Sequence, residues 1–227
     1  MLNREPTLEE AVWFNPRDVR LRLDRLGLKV DPLQNVVRGG YIARISRTEN
    51  DSPIAPGLYQ WNETVRMLRE YGVGLGWGRN NDNGLPTIIN PEGTIAICVS
   101  SGDEKTGIAT ATPGTKHKKG PRTAAFVTSN QMQLALGEYI TMQKGPVYSS
   151  VDGRALATWT LLFFPDHESE EIRSELSLPI FIASGDINGW SERIILPAIP
   201  LDGGDGFKRM SDPDFGPDVD IDIRRLA

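Results

Sequence analysis

The sequence predicts an α+β fold, with helices near the N-terminus followed by a mostly antiparallel sheet built from hairpins. Three observations carry this prediction. Behind Asn15-Pro16, apolar residues recur at Val19, Leu23 and Leu26, a helical spacing closed by Gly27. In mid-chain, Asn90-Pro91-Glu92-Gly93 has the residue types of a type I turn and separates two strand-like runs. The longest apolar runs, such as Leu161 to Pro165, have the length of a strand.

In chain order, Thr7 with Glu10 has the spacing of a capping box, and Asn15 with Pro16 has that of an N-cap and first helical residue. Residues 36–47 are expected to form a strand with Tyr41, Ala43 and Ile45 on one side. Pro53 and Pro56 mark a loop. A short helix is expected from Glu63 to Tyr71, ending at Gly72, with Val65 and Leu68 inward. Thr87 to Ile89 and Thr94 to Val99 are the strands that flank the mid-chain turn.

Thr106 to Thr112 and Thr123 to Val127 suggest a second pair of strands, joined by a loop bracketed by Pro113-Gly114 and Gly120-Pro121. A short helix is favoured within 129–142. Ala155 to Phe164 suggests a buried strand and Glu168 to Leu176 a short polar helix. Pro179 to Ala183 and Arg193 to Leu196 are further strands. From Asp218 to Arg224, acidic and apolar residues alternate with the period of a half-buried strand. The whole of 1–227 is taken as one α+β domain, with residues 1–30 as a candidate helical subdomain.

Hydrophobic content of 39% and charged content of 24% belong to a soluble globular chain. No run approaches the ~20 apolar residues that span a bilayer, and the N-terminus lacks the order of a secretion signal. No membrane contact and a cytoplasmic location are therefore expected. Cys98 is the only cysteine, so no intramolecular disulfide can form. Asn62-Glu63-Thr64 matches a glycosylation acceptor and, without a secretion route, is a chance match.

Charge is segregated. The chain carries a formal charge of -5, yet Lys105 to Gly137 contains no acidic residue. Within that stretch Gly114 to Arg122 reads G-T-K-H-K-K-G-P-R, with Lys116, Lys118, Lys119 and Arg122. A local positive potential of this kind favours nucleic acid, phosphate or an acidic protein surface. Lysine attracts backbone phosphate as a point charge without reading sequence. Three fates are open to the run: phosphate contact, a hairpin tip kept soluble by its lysines, or neutralisation by the region Asp202 to Asp222, which holds seven Asp.

The glycine run from Gly72 to Gly78 fails the dinucleotide fingerprint, because the sixth position is Trp77 or Arg79, depending on the start. Gly102 and Gly107 have P-loop spacing, but Ile108-Ala109 stand where Lys and Ser/Thr are required. The run is expected to be a surface loop on which Trp77 and Arg79 stack on a base. The competing and favoured alternative has Trp77 anchoring the loop to the core. Arg17, Arg20, Arg22 and Arg25 are expected on a solvated helix face. Ser101-Gly102-Asp103 and Ser184-Gly185-Asp186 both look like strand-ending turns.

Other chemistries are poorly supplied. Two histidines and one cysteine make no zinc constellation. Cys98 lies in an apolar strand and behaves as a small hydrophobe. The nucleophile-elbow pattern fails around Ser191, and His167 beside Asp166 is a lone candidate base at a helix start. No catalytic residue, cofactor or metal ligand is assigned.

The leading expectation is a non-catalytic protein that contacts nucleic acid through Lys116, Lys118, Lys119 and Arg122 on a basic hairpin loop, with Trp77 and Arg79 assisting. One alternative is docking on an acidic protein surface, as part of a larger complex. A second is a metal-dependent phosphodiesterase that uses Asp218, Asp220 and Asp222 with Asp103, Asp166 or Asp186.

Overall fold

The structure, a computed structural model, describes residues 10–81, 84–142 and 156–201. In chain order these form β1 (Ala11–Trp13), α1 (Pro16–Arg25), α2 (Val30–Ile45), α3 (Ala55–Gly74), β2 (Gly78–Asn80), β3 (Thr87–Ile89), β4 (Ile95–Ser101), α4 (Pro121–Met142), β5 (Ala157–Asp166), β6 (Glu171–Ala183) and β7 (Asp186–Pro200). The strands make one sheet in the order β1-β7-β6-β5-β4-β3-β2. β1 is parallel to β7 and β4 to β5; the other pairs are antiparallel. The fold is α+β, as predicted.

The first three helices cover one face of the sheet. Val19, Leu23, Leu33, Val37 and Leu68 from α1–α3 share a core with Ile97, Trp159, Leu161, Phe163, Leu176 and Ile194. The opposite face carries α4 and a smaller cluster of Val127, Leu162, Ile187 and Trp190. β5 therefore buries alternate residues on both faces, which explains its unbroken apolar run.

α1 forms as its caps dictate. Asn15 Oδ1 accepts the Arg17 amide at 3.0 Å and Pro16 opens the helix. At its end, Leu28 N bonds Leu23 O and Gly27 N bonds Asp24 O, with Gly27 at φ +73°. α3 closes the same way. Trp77 N bonds Gly72 O, Gly76 N bonds Val73 O, and Gly76 has φ +81°. The glycine run is thus a helix terminus leading into β2, and not the expected surface loop. Trp77 is the apolar residue that packs back behind that terminus.

Several predicted elements are corrected. Residues 36–47 are not a strand; they lie largely in α2. Leu33, Val36, Val37 and Gly40 are buried at helical spacing, and a Cβ on Gly40 would lie 2.0 Å from Thr64 Oγ1 of α3. The β-branched pair and the glycines mark close helix packing. The helix expected at Glu63–Tyr71 extends to Ala55–Gly74, and Pro56 sits in its first turn, where proline costs no hydrogen bond.

Glu168 to Leu176 is not a helix. Asp166 Oδ1 accepts the amides of Glu168 (3.1 Å) and Ser169 (3.2 Å), which turns β5 into β6. The charged residues Glu171, Arg173 and Glu175 then alternate with buried Ile172 and Ser174. His167 consequently sits in a hairpin turn instead of at a helix start. Residues 106–112 and 123–127 are not a strand pair either. The first is an irregular loop and the second lies in α4.

The Asn90 hairpin holds as predicted: Asn90 Oδ1 accepts the amides of Thr94 and Ile95, each at 2.8 Å. The Thr7–Glu10 capping box and the strand expected at Asp218–Arg224 lie outside the described residues, although Glu10 itself precedes β1 and not a helix.

Candidate anion-binding site

The site is built on the crossover from β4 to β5. Because these strands are parallel, the chain must cross the sheet between them, and it does so through loop 102–120 and α4. The first half of that loop is held by a buried ion pair. Ser177 pairs with Arg193 and Glu175 with Ile195, so Glu175 and Arg193 stand diagonally on one face. They are 0% and 1% exposed.

Glu175 Oε1 accepts Ser177 Oγ (2.7 Å) and Arg193 Nε (3.0 Å), and Oε2 accepts Arg193 Nη2 (2.7 Å) and the Gly107 amide (2.9 Å). Arg193 also donates to Ala111 O (2.6 Å) and Ile108 O (3.1 Å). A charged pair thus captures the backbone of 107–111, so that segment joins no strand ladder. Burial raises the pKa of the nearby Glu10 carboxyl, and the positive charge of Arg193 opposes that rise.

Further on, Trp190 Nε1 donates to Pro113 O at 2.8 Å. Asp103 Oδ2 accepts the Gly114 amide at 2.8 Å, and Gly102 bridges Thr115.

The second half is basic and is tied down by its backbone. Lys116 N donates to Ser101 O at 3.1 Å, and Lys119 N to Gly185 O at 2.6 Å. Ser184 and Gly185, at φ +53° and +88°, make the tight turn between β6 and β7. A Cβ on Gly185 would lie 3.2 Å from both Lys118 Cβ and Lys119 O. Both Ser-Gly-Asp turns therefore flank the basic run. Register shifts at Leu178, Pro179 and Phe181 bend this hairpin end, and its Ile187 packs with Val127 of α4.

The predicted basic tip is thus no hairpin. It is the last stretch of a crossover, ending in the first turn of α4. Lys116, Lys118 and Arg122 are exposed and Lys119 is half-buried. α4 opens with Pro121, and Ala124 N bonds Gly120 O at 3.3 Å. Asn130 fixes the helix to the sheet by donating to Thr158 O and Pro179 O, both at 2.9 Å. Arg122 reaches across to the β2–β3 loop, where a Cβ on Gly84 would lie 2.5 Å from its Nη1.

The other predicted site residues part company. Trp77 is 6% exposed inside the large core, so it is unavailable to stack on a base, and its place is that of the favoured alternative, an anchor to the core. Arg79 is exposed on β2. Of the α1 arginines, Arg17, Arg20 and Arg25 lie on the solvated face, but Arg22 forks onto Glu192 and lies 5.8 Å over the Trp159 ring. Cys98 is buried; burial pushes its thiol pKa up and leaves it a poor nucleophile.

Among the described residues no three His, Cys, Asp or Glu side chains could share a metal ion. Asp103 and Asp166 serve loop and turn amides, and Asp202 to Asp222 lie outside the described residues. No described helix is long and apolar enough to cross a membrane.

Glu175 and Arg193 were not singled out from the sequence. Their signal is a charge at the edge of an apolar run, in Ser-Glu-Leu-Ser-Leu and Glu-Arg-Ile-Ile-Leu. It was hidden for Glu175 because its strand resembled a helix. Comparison with family models, curated proteins and solved structures returns no match to this chain.

Proposed function

We propose that this protein binds an anionic partner, with the phosphate backbone of nucleic acid as the leading class, through Lys116, Lys118, Lys119 and Arg122, and that its role is binding and not catalysis. The observation that carries this is the convergence of those four residues on the start of α4, at the C-terminal end of β4. Amides in the first turn of a helix have no acceptor within it. Together with the helix dipole they favour an anion at that end. The basic residues add full charges to that partial one. Backbone hydrogen bonds on both sides of 116–119 order the segment before any partner arrives, which lowers the entropic cost of association.

Fluorescence anisotropy with a labelled oligonucleotide tests the proposal. The triple variant Lys116→Ala/Lys118→Ala/Arg122→Ala should weaken binding by at least about tenfold at low salt, as expected when several phosphate contacts are lost. An unchanged affinity, or no binding by the wild type, would overturn it.

A further inference from the structure

β1 accompanies β7 only from Glu192 to Ile194. The chain then turns at Asn15 into α1, while β7 continues to Pro200. Beside that continuation lies a cavity of about 340 Å³. Phe14, Val19, Ile195, Leu196, Pro197 and Ala198 form its apolar wall. Gly107 and Ala109 of the crossover loop border it, and Glu171 and Arg173 of β6 supply its charge. Phe14 is 65% exposed, a large apolar side chain left to water on that wall.

A β-bulge shapes the charged side. Ile172 pairs with Ile199 and Ser174 with Leu196, so Pro197 and Ala198 together oppose Arg173 alone. Bulges of this kind re-aim a side chain. Arg173 is also clamped. A Cβ on Gly107 would lie 2.9 Å from Arg173 Cβ, and the guanidinium stands 5.2 Å over the Phe164 ring.

Arg173 is 12% exposed, and its Nη2 donates to Asp166 Oδ2 at 2.8 Å. Its Nε is enclosed and makes no hydrogen bond. Glu171 Oε1, at 3.8 Å, is too far to accept one. An enclosed donor without an acceptor is unfavourable unless something outside the chain supplies one.

The charges constrain what that something is. Asp166 is occupied by two turn amides and Arg173. Glu171 and Arg173 therefore offer one negative and one positive group, two residues apart on one strand face. A ligand with only negative charge would meet Glu171, and one with only positive charge would meet Arg173. A zwitterion matches both, with its carboxylate on the guanidinium as a charge-assisted pair and its ammonium on Glu171. The rest of the wall is apolar, and the volume lies at the lower end of the ~300–1,000 Å³ of small-molecule sites. We infer that this cavity binds a free apolar α-amino acid, whose side chain lies against the wall of Phe14, Val19 and Leu196. The cavity shares no residue with the basic segment, so the two sites stand or fall separately.

Isothermal titration calorimetry of the full chain with L-leucine and L-phenylalanine is the test. At least one of them should bind saturably, with one ligand per chain. Isocaproate lacks the ammonium of leucine, and isoamylamine lacks its carboxylate. Each should bind at least about tenfold more weakly than leucine, the loss expected for one hydrogen bond to a charged group. Glu171→Gln should weaken leucine more than isocaproate, which has no ammonium to place there. Ala198→Trp, at an exposed position, should fill the cavity and abolish leucine binding, with circular dichroism to check that the variant is folded.

Absence of binding by both amino acids overturns the inference. So does isocaproate or isoamylamine binding as tightly as leucine, or full leucine affinity in a folded Ala198→Trp variant. The analogue comparison uses the unaltered chain and decides the matter whatever the variants do.

Discussion

The two halves of the β4–α4 crossover are anchored in opposite ways. Residues 103–115 are held by side chains from the sheet, namely Glu175, Arg193 and Trp190, whose polar atoms take up the loop's own amides and carbonyls. Residues 116–119 are held by their backbone at Ser101 and Gly185, and the exposed Lys116 and Lys118 project outward. The first half uses buried charge to fix a path. The second uses that path to display charge. Stability and binding should therefore separate along one loop.

The largest expected effect is on the first half. Glu175→Ala leaves the Arg193 guanidinium buried beside a lost partner, which should cost about 3–5 kcal/mol in urea or thermal unfolding. Adding Arg193→Met removes the stranded charge and should recover part of that loss. Recovery stays incomplete, because the carbonyls of Ile108 and Ala111 lose their donor. Full additivity of the two single losses would mean that the pair is not coupled.

Gly185→Val comes next. A β-branched residue at φ +88° is strained, and its Cβ would press on Lys118 and Lys119. A loss of about 1–3 kcal/mol is expected, together with weaker oligonucleotide binding. Trp190→Phe deletes one buried hydrogen bond to Pro113 and should cost about 1–2 kcal/mol, with a smaller effect on binding. Lys116→Ala/Lys118→Ala should change stability by no more than about 0.5 kcal/mol while reducing affinity. A large stability loss there would blur the contrast between the halves.

The smallest effect concerns acid. Burial pushes the Asp166 carboxyl up, but the amides of Ser169 and Glu168 and the Arg173 guanidinium outweigh it and hold its pKa below the usual carboxylate range. A depressed folded pKa stabilises fully above the unfolded value of about 3.9 and loses that contribution as pH falls through the folded one. Asp166→Asn should therefore narrow the gap in melting temperature between neutral and acidic pH. An unchanged gap would show that the turn does not depend on this carboxylate.

What was legible in the sequence was local. Asn15-Pro16 and Gly27 set the ends of α1, Asn90 to Gly93 set the β3–β4 turn, and the alternating burial of β5 appeared as an apolar run. What was missed depends on partners distant in sequence. The strand pattern of 106–112 is real in composition, but the backbone of 107–111 is claimed by residues at 175 and 193. The run at 168–176 is polar like a surface helix, yet Glu168 and Glu170 lie in a turn and Glu175 is buried on a strand against Arg193. The strand expected over 36–47 is a helix because Gly39 and Gly40 let α3 pack against it, a contact with residues distant in sequence. The four basic residues of the site were legible as a charge run. Their seat at the start of a helix was not, because α4 had been divided between a strand and a shorter helix.

The most direct measurement is the salt dependence of oligonucleotide affinity for the unaltered chain. Contacts from the basic segment and its neighbours imply that log K falls with log salt at a slope of about −3 to −4. A slope near zero, with binding retained, would contradict a site made of lysine and arginine on phosphate.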